Sequence, residues 1–142
     1  MTMKQIDIHD FKAALEKESG RAVVDFINVC TIPEYNEKHI PGVRNVPLDT
    51  LEQHMHEFTD KKTIYIHCRS GVRGQQAVEK LAQLGVTAEL INVTGGIIAW
   101  SNAGFATTTN TTRKPLMHQV LLITAGVLIA LGILLALLVH PY

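Results

Sequence analysis

Two patterns of hydrophobic and polar positions alternate along the first part of the chain. Short apolar runs rich in β-branched residues predict strands at 5–8, 22–29, 63–67 and 87–93, with a brief further strand within 40–48. Apolar residues at helical spacing predict helices at 9–19, 31–39, 49–58, 74–85 and 95–104. Strands that alternate with helices predict an α/β domain with a mostly parallel sheet. Ligands in such sheets bind beyond the carboxyl ends of the strands.

A different pattern occupies the C-terminal part. Residues 120–139 read VLLITAGVLIALGILLALLV and carry no charge. A helix of this length rises about 30 Å, which matches the hydrocarbon thickness of a bilayer. The sequence therefore predicts a transmembrane helix over 116–139, in contact with membrane lipid, and a polar, threonine-rich linker over 106–115. The N-terminal domain is expected to span 1–105.

The residues that flank the predicted span give its orientation. Arg113 and Lys114 precede it, whereas HPY follows it without Lys or Arg. The positive-inside rule then predicts a single span in the inner (cell) membrane with the N-terminal domain in the cytoplasm. Gly126 and Ala130 have the spacing that lets two helices approach closely, so a homodimer through this helix is one reading. The alternative is that these small residues are present simply because glycine and alanine are common in membrane helices.

Charge and cysteine content exclude several functions. The chain has 13 basic and 13 acidic residues and a formal net charge of zero, so no basic face for nucleic acid is expected. Its two cysteines, Cys30 and Cys68, have neither the number nor the spacing of a disulfide framework or a zinc site. No metal site is predicted.

Candidate chemistry lies in YIHCRSGVRG, residues 65–74, where a predicted strand ends at Cys68. The free N–H groups at the start of the next helix, together with Arg69 and Arg73, would stabilise a thiolate there. Ser70 offers a hydroxyl donor, and Gly71 permits a tight loop. We expect a nucleophilic cysteine within an anion pocket.

Loop length separates two chemistries that use such a pocket. Cysteine phosphatases have the pattern C-x5-R, whereas this chain has C-x4-R from Cys68 to Arg73. A smaller ring is expected to fit one added sulfur better than a phosphoryl group. Sulfur transfer is therefore favoured, and a phosphatase is the less favoured alternative.

Three motifs in order resemble the single-domain rhodaneses, a family of thiosulfate sulfurtransferases: HCRSGVRG, PEYNEKHIPGVRNVPL at 33–48 and INVTGGIIAW at 91–100. The resemblance implies a central parallel five-stranded sheet with helices on both faces. It also implies that Cys68 takes sulfur from thiosulfate or a similar donor, forms a persulfide, and passes the sulfur to cyanide or a thiol. No cofactor is implied. The residues that would cradle the persulfide and bind the donor are Arg69, Ser70, Gly71, Val72 and Arg73.

The resemblance extends to a membrane-anchored bacterial subgroup, in which PLMHQV at 115–120 opens a pair of transmembrane helices. One departure concerns the end of the second predicted strand, where the family has Asp-Val-Arg and this chain has Asn28, Val29 and Cys30. The charged brace of the active-site loop is therefore expected to be missing. A non-catalytic persulfide carrier or thiol sensor stays open for this reason. Cys30 is expected to be a packed strand-end residue, with a role as second thiol as the alternative.

Overall fold

Five parallel strands form the centre of the domain in the computed structural model, which describes residues 3–110. Their order in the sheet is β1-β5-β4-β2-β3, which confirms the predicted α/β fold with a parallel five-stranded sheet. The strands are β1 Met3–Ile6, β2 Val24–Asn28, β3 Arg44–Asn45, β4 Thr63–His67 and β5 Glu89–Val93. Strand β4, which ends just before Cys68, is central.

Residues 3–110 also form five α-helices and one 3₁₀-helix. They are α1 Ile8–Glu18, α2 Ile32–Glu37, the 3₁₀-helix Leu48–His54, α3 Met55–Phe58, α4 Val72–Gln83 and α5 Gly96–Asn102. Strand β1 ends earlier than predicted because Asp7 caps α1, its carboxylate accepting the Asp10 N–H at 2.8 Å.

The segment 49–58, predicted as one helix, is divided between the 3₁₀-helix and α3. The cap position is Pro47, and the Thr50 hydroxyl donates back to the Pro47 carbonyl at 2.8 Å. Tight 3₁₀ turns of this kind are common at the ends of α-helices.

Each face of the sheet buries its own apolar cluster. Helices α1 and α5 cover one face, where Phe11 of α1 packs against the rings of Phe26 and Trp100. Helix α4, the 3₁₀-helix and α3 cover the other, with Leu81, Leu51 and other fully buried side chains. Burying each large apolar side chain contributes about 1.5–3 kcal/mol, so the two layers hold the sheet rigidly beneath the loop at Cys68.

The described chain ends in a short segment, Ala106 to Asn110, that packs on the domain. His39 and Thr108 exchange two backbone hydrogen bonds of 2.9 Å, and the Trp100 indole donates to the Ala106 carbonyl at 2.8 Å. The Asn110 N–H also donates to the Asn36 carbonyl at 2.7 Å. These residues belong to the predicted linker, yet they are hydrogen-bonded to helix α2 and the turn after it.

The predicted transmembrane helix, residues 116–139, lies outside the described residues, as does the pair Gly126 and Ala130. The membrane span and the homodimer through it therefore stay predictions. Among residues 3–110, none of the helices has the length and apolar character needed to cross a bilayer.

Candidate active site

Cys68 lies at the carboxyl end of the central strand, where open α/β sheets bind their ligands. Its side chain is fully buried. The backbone N–H of Gly71 donates to the Cys68 sulfur at 3.0 Å, which closes the loop on the thiol. A hydrogen-bond donor that points at the sulfur is an arrangement suited to nucleophilic chemistry at this position.

Gly71 makes this contact through a backbone conformation that other residues rarely adopt. Its φ is +106°, and a Cβ added there would lie 3.3 Å from the Gly95 nitrogen. Helix α4 begins at the next residue, two positions earlier than the sequence predicted. The Asn92 side-chain amide donates to the Gly71 carbonyl at 3.2 Å, so β5 also holds the turn.

The start of α5 holds the loop from the other side. The N–H groups of Ile97 and Ile98 donate to the carbonyls of Cys68 and Arg69, at 3.0 and 3.1 Å. A Cβ on Gly96 would lie 2.3 Å from the Cys68 carbonyl oxygen. Gly96, the second glycine of the motif INVTGGIIAW, is therefore needed for this close approach.

The two arginines of the loop have different surroundings. Arg73 binds Glu34 of α2 through Nη1 to Oε1 at 2.6 Å and Nη2 to Oε2 at 2.9 Å. This pairing and the Thr31 N–H hold the pKa of Glu34 down to about 2, and the same carboxylate raises the pKa of Arg73. Arg69 is exposed and forms no ion pair with any residue between 3 and 110. Arg73 thus fixes the loop, and Arg69 is available to an anion.

Sequence reasoning missed Glu34 as a partner of Arg73. A local signal existed, because Thr31 and Glu34 form a capping box at the start of α2. Nothing in that signal indicates an arginine 39 positions later, which approaches only because β2 and β4 are neighbours.

A cavity of about 140 Å³ opens beside the loop. Its walls include Cys30, Glu34 and Lys38 from the end of β2 and helix α2, together with Arg69 and Ile98. The cavity thus combines a second thiol, two cationic groups, the carboxylates of Glu34 and Glu37, and apolar surface. It is large enough for a small anion but not for a bulky ligand, since ligand pockets commonly measure about 300–1,000 Å³.

An uncharged brace replaces the expected Asp and Arg at the end of β2. The Asn28 side-chain oxygen accepts the Cys30 N–H at 2.8 Å, and the Asn45 amide donates to the Cys30 carbonyl at 3.0 Å. Asn28 and Cys30 are both buried. The missing charge therefore does not leave this segment without support.

The remaining predicted positions are at the rim. Ser70 is exposed, and within residues 3–110 its hydroxyl has no hydrogen-bond partner. Val72 is exposed at the first position of α4. His39 is buried, stacks on Tyr35 with ring centroids 3.8 Å apart and has Nδ1 2.7 Å from the Tyr35 carbonyl oxygen, so its role is structural.

The sequence model of the rhodanese-like domain matches residues 8–103, which include the loop, its helix α4 and the glycines before α5. The chain belongs to the rhodanese family. Among curated relatives, a putative sulfur carrier protein of Bacillus subtilis, YrkF, is 31% identical over 100 residues, covering 70% of this chain and 52% of the relative. This rhodanese thus spans about half the length of that relative. A protein named sulfurtransferase from Allochromatium vinosum is 33% identical over 78 residues, covering 55% of this chain and 72% of that protein.

Solved structures agree with this assignment. A rhodanese-like domain protein from Staphylococcus aureus superposes with a TM-score of 0.60 at 32% identity, covering 69% of this chain and 91% of that one. A Rhodopseudomonas palustris protein described as a possible tyrosine phosphatase has a TM-score of 0.63 at 21% identity, covering 75% and 85% of the two chains. At that identity the likeness shows the fold alone. The relatives connect this rhodanese domain with sulfur transfer and sulfur carriage.

Proposed function

We propose that this rhodanese is a sulfurtransferase that takes sulfane sulfur from thiosulfate, or a similar anionic donor, onto Cys68. The observation that carries the proposal is the 3.0 Å hydrogen bond from the Gly71 N–H to the Cys68 sulfur. In a buried loop such a donor stabilises a thiolate and, after transfer, a persulfide. Arg69 lines the cavity, has no ion-pair partner among residues 3–110, and supplies the positive charge that attracts a dianionic donor.

In the first half-reaction, the Cys68 thiolate attacks the outer sulfur of thiosulfate. The sulfur–sulfur bond of thiosulfate breaks, and sulfite leaves with the bonding electron pair. Cys68 then carries a persulfide anion, so the three negative charges of the reactants are retained in the products. Glu34 and the start of α5 hold the loop that carries Cys68.

In the second half-reaction, cyanide or a thiolate attacks the outer sulfur of the persulfide. The Cys68 thiolate leaves, and the product is thiocyanate or the persulfide of the acceptor. The Gly71 N–H stabilises the leaving thiolate in this step. Each step moves only sulfur and electron pairs between thiolate, donor and acceptor, so the proposal involves no cofactor.

Two alternatives were left open by the sequence. A persulfide carrier or thiol sensor would load Cys68 but turn over poorly, and the carrier name of the Bacillus subtilis relative is in its favour. A phosphatase is disfavoured by the short loop, whose second arginine is occupied by Glu34 rather than free for a phosphate.

Intact-mass measurement separates these functions. We expect the full-length protein in detergent to gain one sulfur atom at the shortest times after thiosulfate is added, and to form thiocyanate over many turnovers when cyanide is present from the start. The Cys68→Ala variant should gain none. A single loading without turnover would support the carrier instead, and no gain in any condition would overturn both readings in which Cys68 holds sulfur.

The predicted span at 116–139 adds a second proposal, that the rhodanese domain is tethered to the inner (cell) membrane on the cytoplasmic side. Its support is the uncharged stretch 120–139 and the preceding Arg113 and Lys114. Full-length protein should stay in the membrane pellet after alkaline carbonate washing, and Leu131→Arg should release it. A wild-type chain recovered in the carbonate supernatant would overturn the tether without affecting the sulfurtransferase proposal.

A further inference from the structure

Cys30 is the buried nucleophilic group that the proposed cycle leaves unused. Cys30 lies two residues after the end of β2, and Cys68 lies directly after the end of β4. Strands β2 and β4 are parallel neighbours in the sheet. Asn28 is the register partner of His67, and the Val29 N–H donates to the His67 carbonyl at 3.0 Å. Both thiols therefore lie at the same edge of the sheet, on adjoining strand ends.

This register places Val29 opposite Cys68 and Cys30 one residue further along, as the diagonal neighbour of Cys68. Neighbouring strands lie about 4.8 Å apart, and disulfides join Cα atoms about 4.4–6.8 Å apart. Both side chains belong to the same buried cluster, with 3% of Cys30 and none of Cys68 exposed. Cys30 also lines the cavity beside Arg69, the residue that follows Cys68.

The backbone around Cys30 is held firmly. Its N–H is bound by the Asn28 side chain at 2.8 Å, and its carbonyl by Asn45 at 3.0 Å. The family's Arg at this position would place a long charged side chain here, whereas this chain places a thiol. A fixed thiol next to the sulfur-bearing residue has a position suited to reaction with it.

Burial keeps Cys30 as a neutral thiol. Burial, as the main cause, raises the pKa of Cys30 to about 11; Arg73 and the Arg69 N–H act in the opposite direction, whereas Glu34 and Cys68 raise it. Lys38 and Glu37 also line the cavity. At neutral pH the group therefore does not compete with Cys68 for the donor, and it carries a proton that a leaving group can take.

We propose that Cys30 resolves the persulfide on Cys68, forming a Cys30–Cys68 disulfide and releasing hydrosulfide. This inference rests on the proposed function, because it needs Cys68 to be loaded with sulfur. The bond between the two cysteine sulfurs forms, and the bond from Cys68 to its outer sulfur breaks. The outer sulfur is reduced by two electrons from the two cysteines and leaves with the Cys30 proton. Net charge and atoms balance without an oxidant.

A dithiol is the reductant class that would return the disulfide to two thiols. Over a full cycle, thiosulfate and a dithiol would then yield sulfite, hydrosulfide and an oxidised dithiol. The domain would thus release sulfide in addition to passing sulfur to an acceptor. Cyanide, which removes the outer sulfur directly, would compete with Cys30 for the same persulfide.

The test uses the reduced full-length protein in detergent, without oxygen, mixed with a small excess of thiosulfate and then quenched with an alkylating agent. In the wild type we expect released sulfide, about one per chain, and a chain that has lost two hydrogens and resists alkylation at both cysteines. In Cys30→Ser we expect a stable gain of one sulfur on Cys68 and no sulfide. Cys68→Ser should give neither product.

Three outcomes decide the matter. A wild-type chain that keeps the persulfide as long as Cys30→Ser does, without sulfide, would overturn the role of Cys30. A disulfide found only between two chains, seen as a dimer on a non-reducing gel, would also overturn it. Absence of persulfide from a Cys30→Ser variant whose Trp100 fluorescence is native would instead overturn the proposed function itself. Cys30→Ala serves as a second variant should the serine hydroxyl disturb folding.

Discussion

Arg73 and Glu34 are joined by two parallel hydrogen bonds of 2.6 and 2.9 Å that connect the active-site loop to helix α2. The pair is two-thirds buried, with side-chain exposures of 30 and 31%. Charged pairs of this bidentate geometry fix orientation as well as supplying energy. The loop therefore owes its position to a residue from a different part of the chain.

Glu34→Gln should loosen the loop. We expect stability at neutral pH to fall by about 1 kcal/mol, with a decrease of about tenfold in kcat/KM for thiosulfate. Because the pKa of Glu34 is lowered to about 2, its contribution is present above about pH 4.5 and is lost as the pH falls toward 2. Urea unfolding followed by Trp100 fluorescence at several pH values measures this.

Glu16→Gln is the matched control, since it removes an exposed ion pair with Lys12 on helix α1. It should change neither kcat/KM nor the acid dependence of stability. Equal effects of the two substitutions would mean that the Glu34 pair does not position the loop.

Arg69→Ala should weaken donor binding without disturbing the fold. Its guanidinium lines the cavity and has no ion-pair partner in the part of the chain that the structure describes. We expect KM for thiosulfate to rise about tenfold, kcat to change little, and the salt dependence of kcat/KM to weaken. Arg21→Ala, an exposed arginine near the end of α1, is the control. An unchanged KM would exclude Arg69 as the anion-binding group.

Gly96→Ala should disrupt the loop through close contact. The new Cβ would lie 2.3 Å from the Cys68 carbonyl oxygen and 2.6 Å from that of Arg69. Gly104 also has a positive φ, of +82°, but nothing lies within 4 Å of a Cβ there. Gly104→Ala should therefore lose about 1 kcal/mol of stability and keep its activity. Gly96→Ala should lose at least about tenfold in sulfur transfer. Equal activity of the two variants would contradict the role assigned to α5.

His67 should make the domain sensitive to mild acid. It is fully buried against Phe11, and Nε2 has no partner among residues 3–110; burial lowers its pKa to about 4, and nearby His39 acts in the same direction. A lowered pKa favours the neutral ring in the folded state, so stability is lost as pH falls from about 6.5 toward 4. From pH 8 to 5 we expect a loss of about 2 kcal/mol.

His67→Phe should flatten this pH dependence while keeping an aromatic ring beside Phe11. Denaturant titrations at pH 5 and 8 give the comparison, and His67→Asn is a smaller alternative. An unchanged slope in both variants would assign the acid sensitivity to other groups.

The fold and the position of Cys68 at the end of a strand were predictable because their signals are local. An apolar run that ends at Cys68, with glycines and arginines after it, marks a strand, a tight loop and a helix without knowledge of the rest. The Arg73–Glu34 pair was not predictable, because it depends on which strands are neighbours. The hydrogen bonds between Thr108 and His39 use backbone atoms, which leave no trace in the polar composition of 106–115. The division of 49–58 into a 3₁₀-helix and α3 depends on which backbone hydrogen bonds close the first turn. The pattern of side chains does not show this.

The pairing of β1 with β5 has a consequence for the order in which the domain is made. Met3 pairs with Leu90, so the first strand synthesised waits for the last before it has a partner. Before β5 has been synthesised, the apolar edge of β4 that β5 later covers is exposed. Strands of other chains can pair with this edge. A chain that ends at residue 88 is therefore expected to collect in inclusion bodies, whereas the full chain is not, and fractionation of cells that express each would show it. Incomplete synthesis, more than any single substitution, is the condition under which this domain is prone to aggregate.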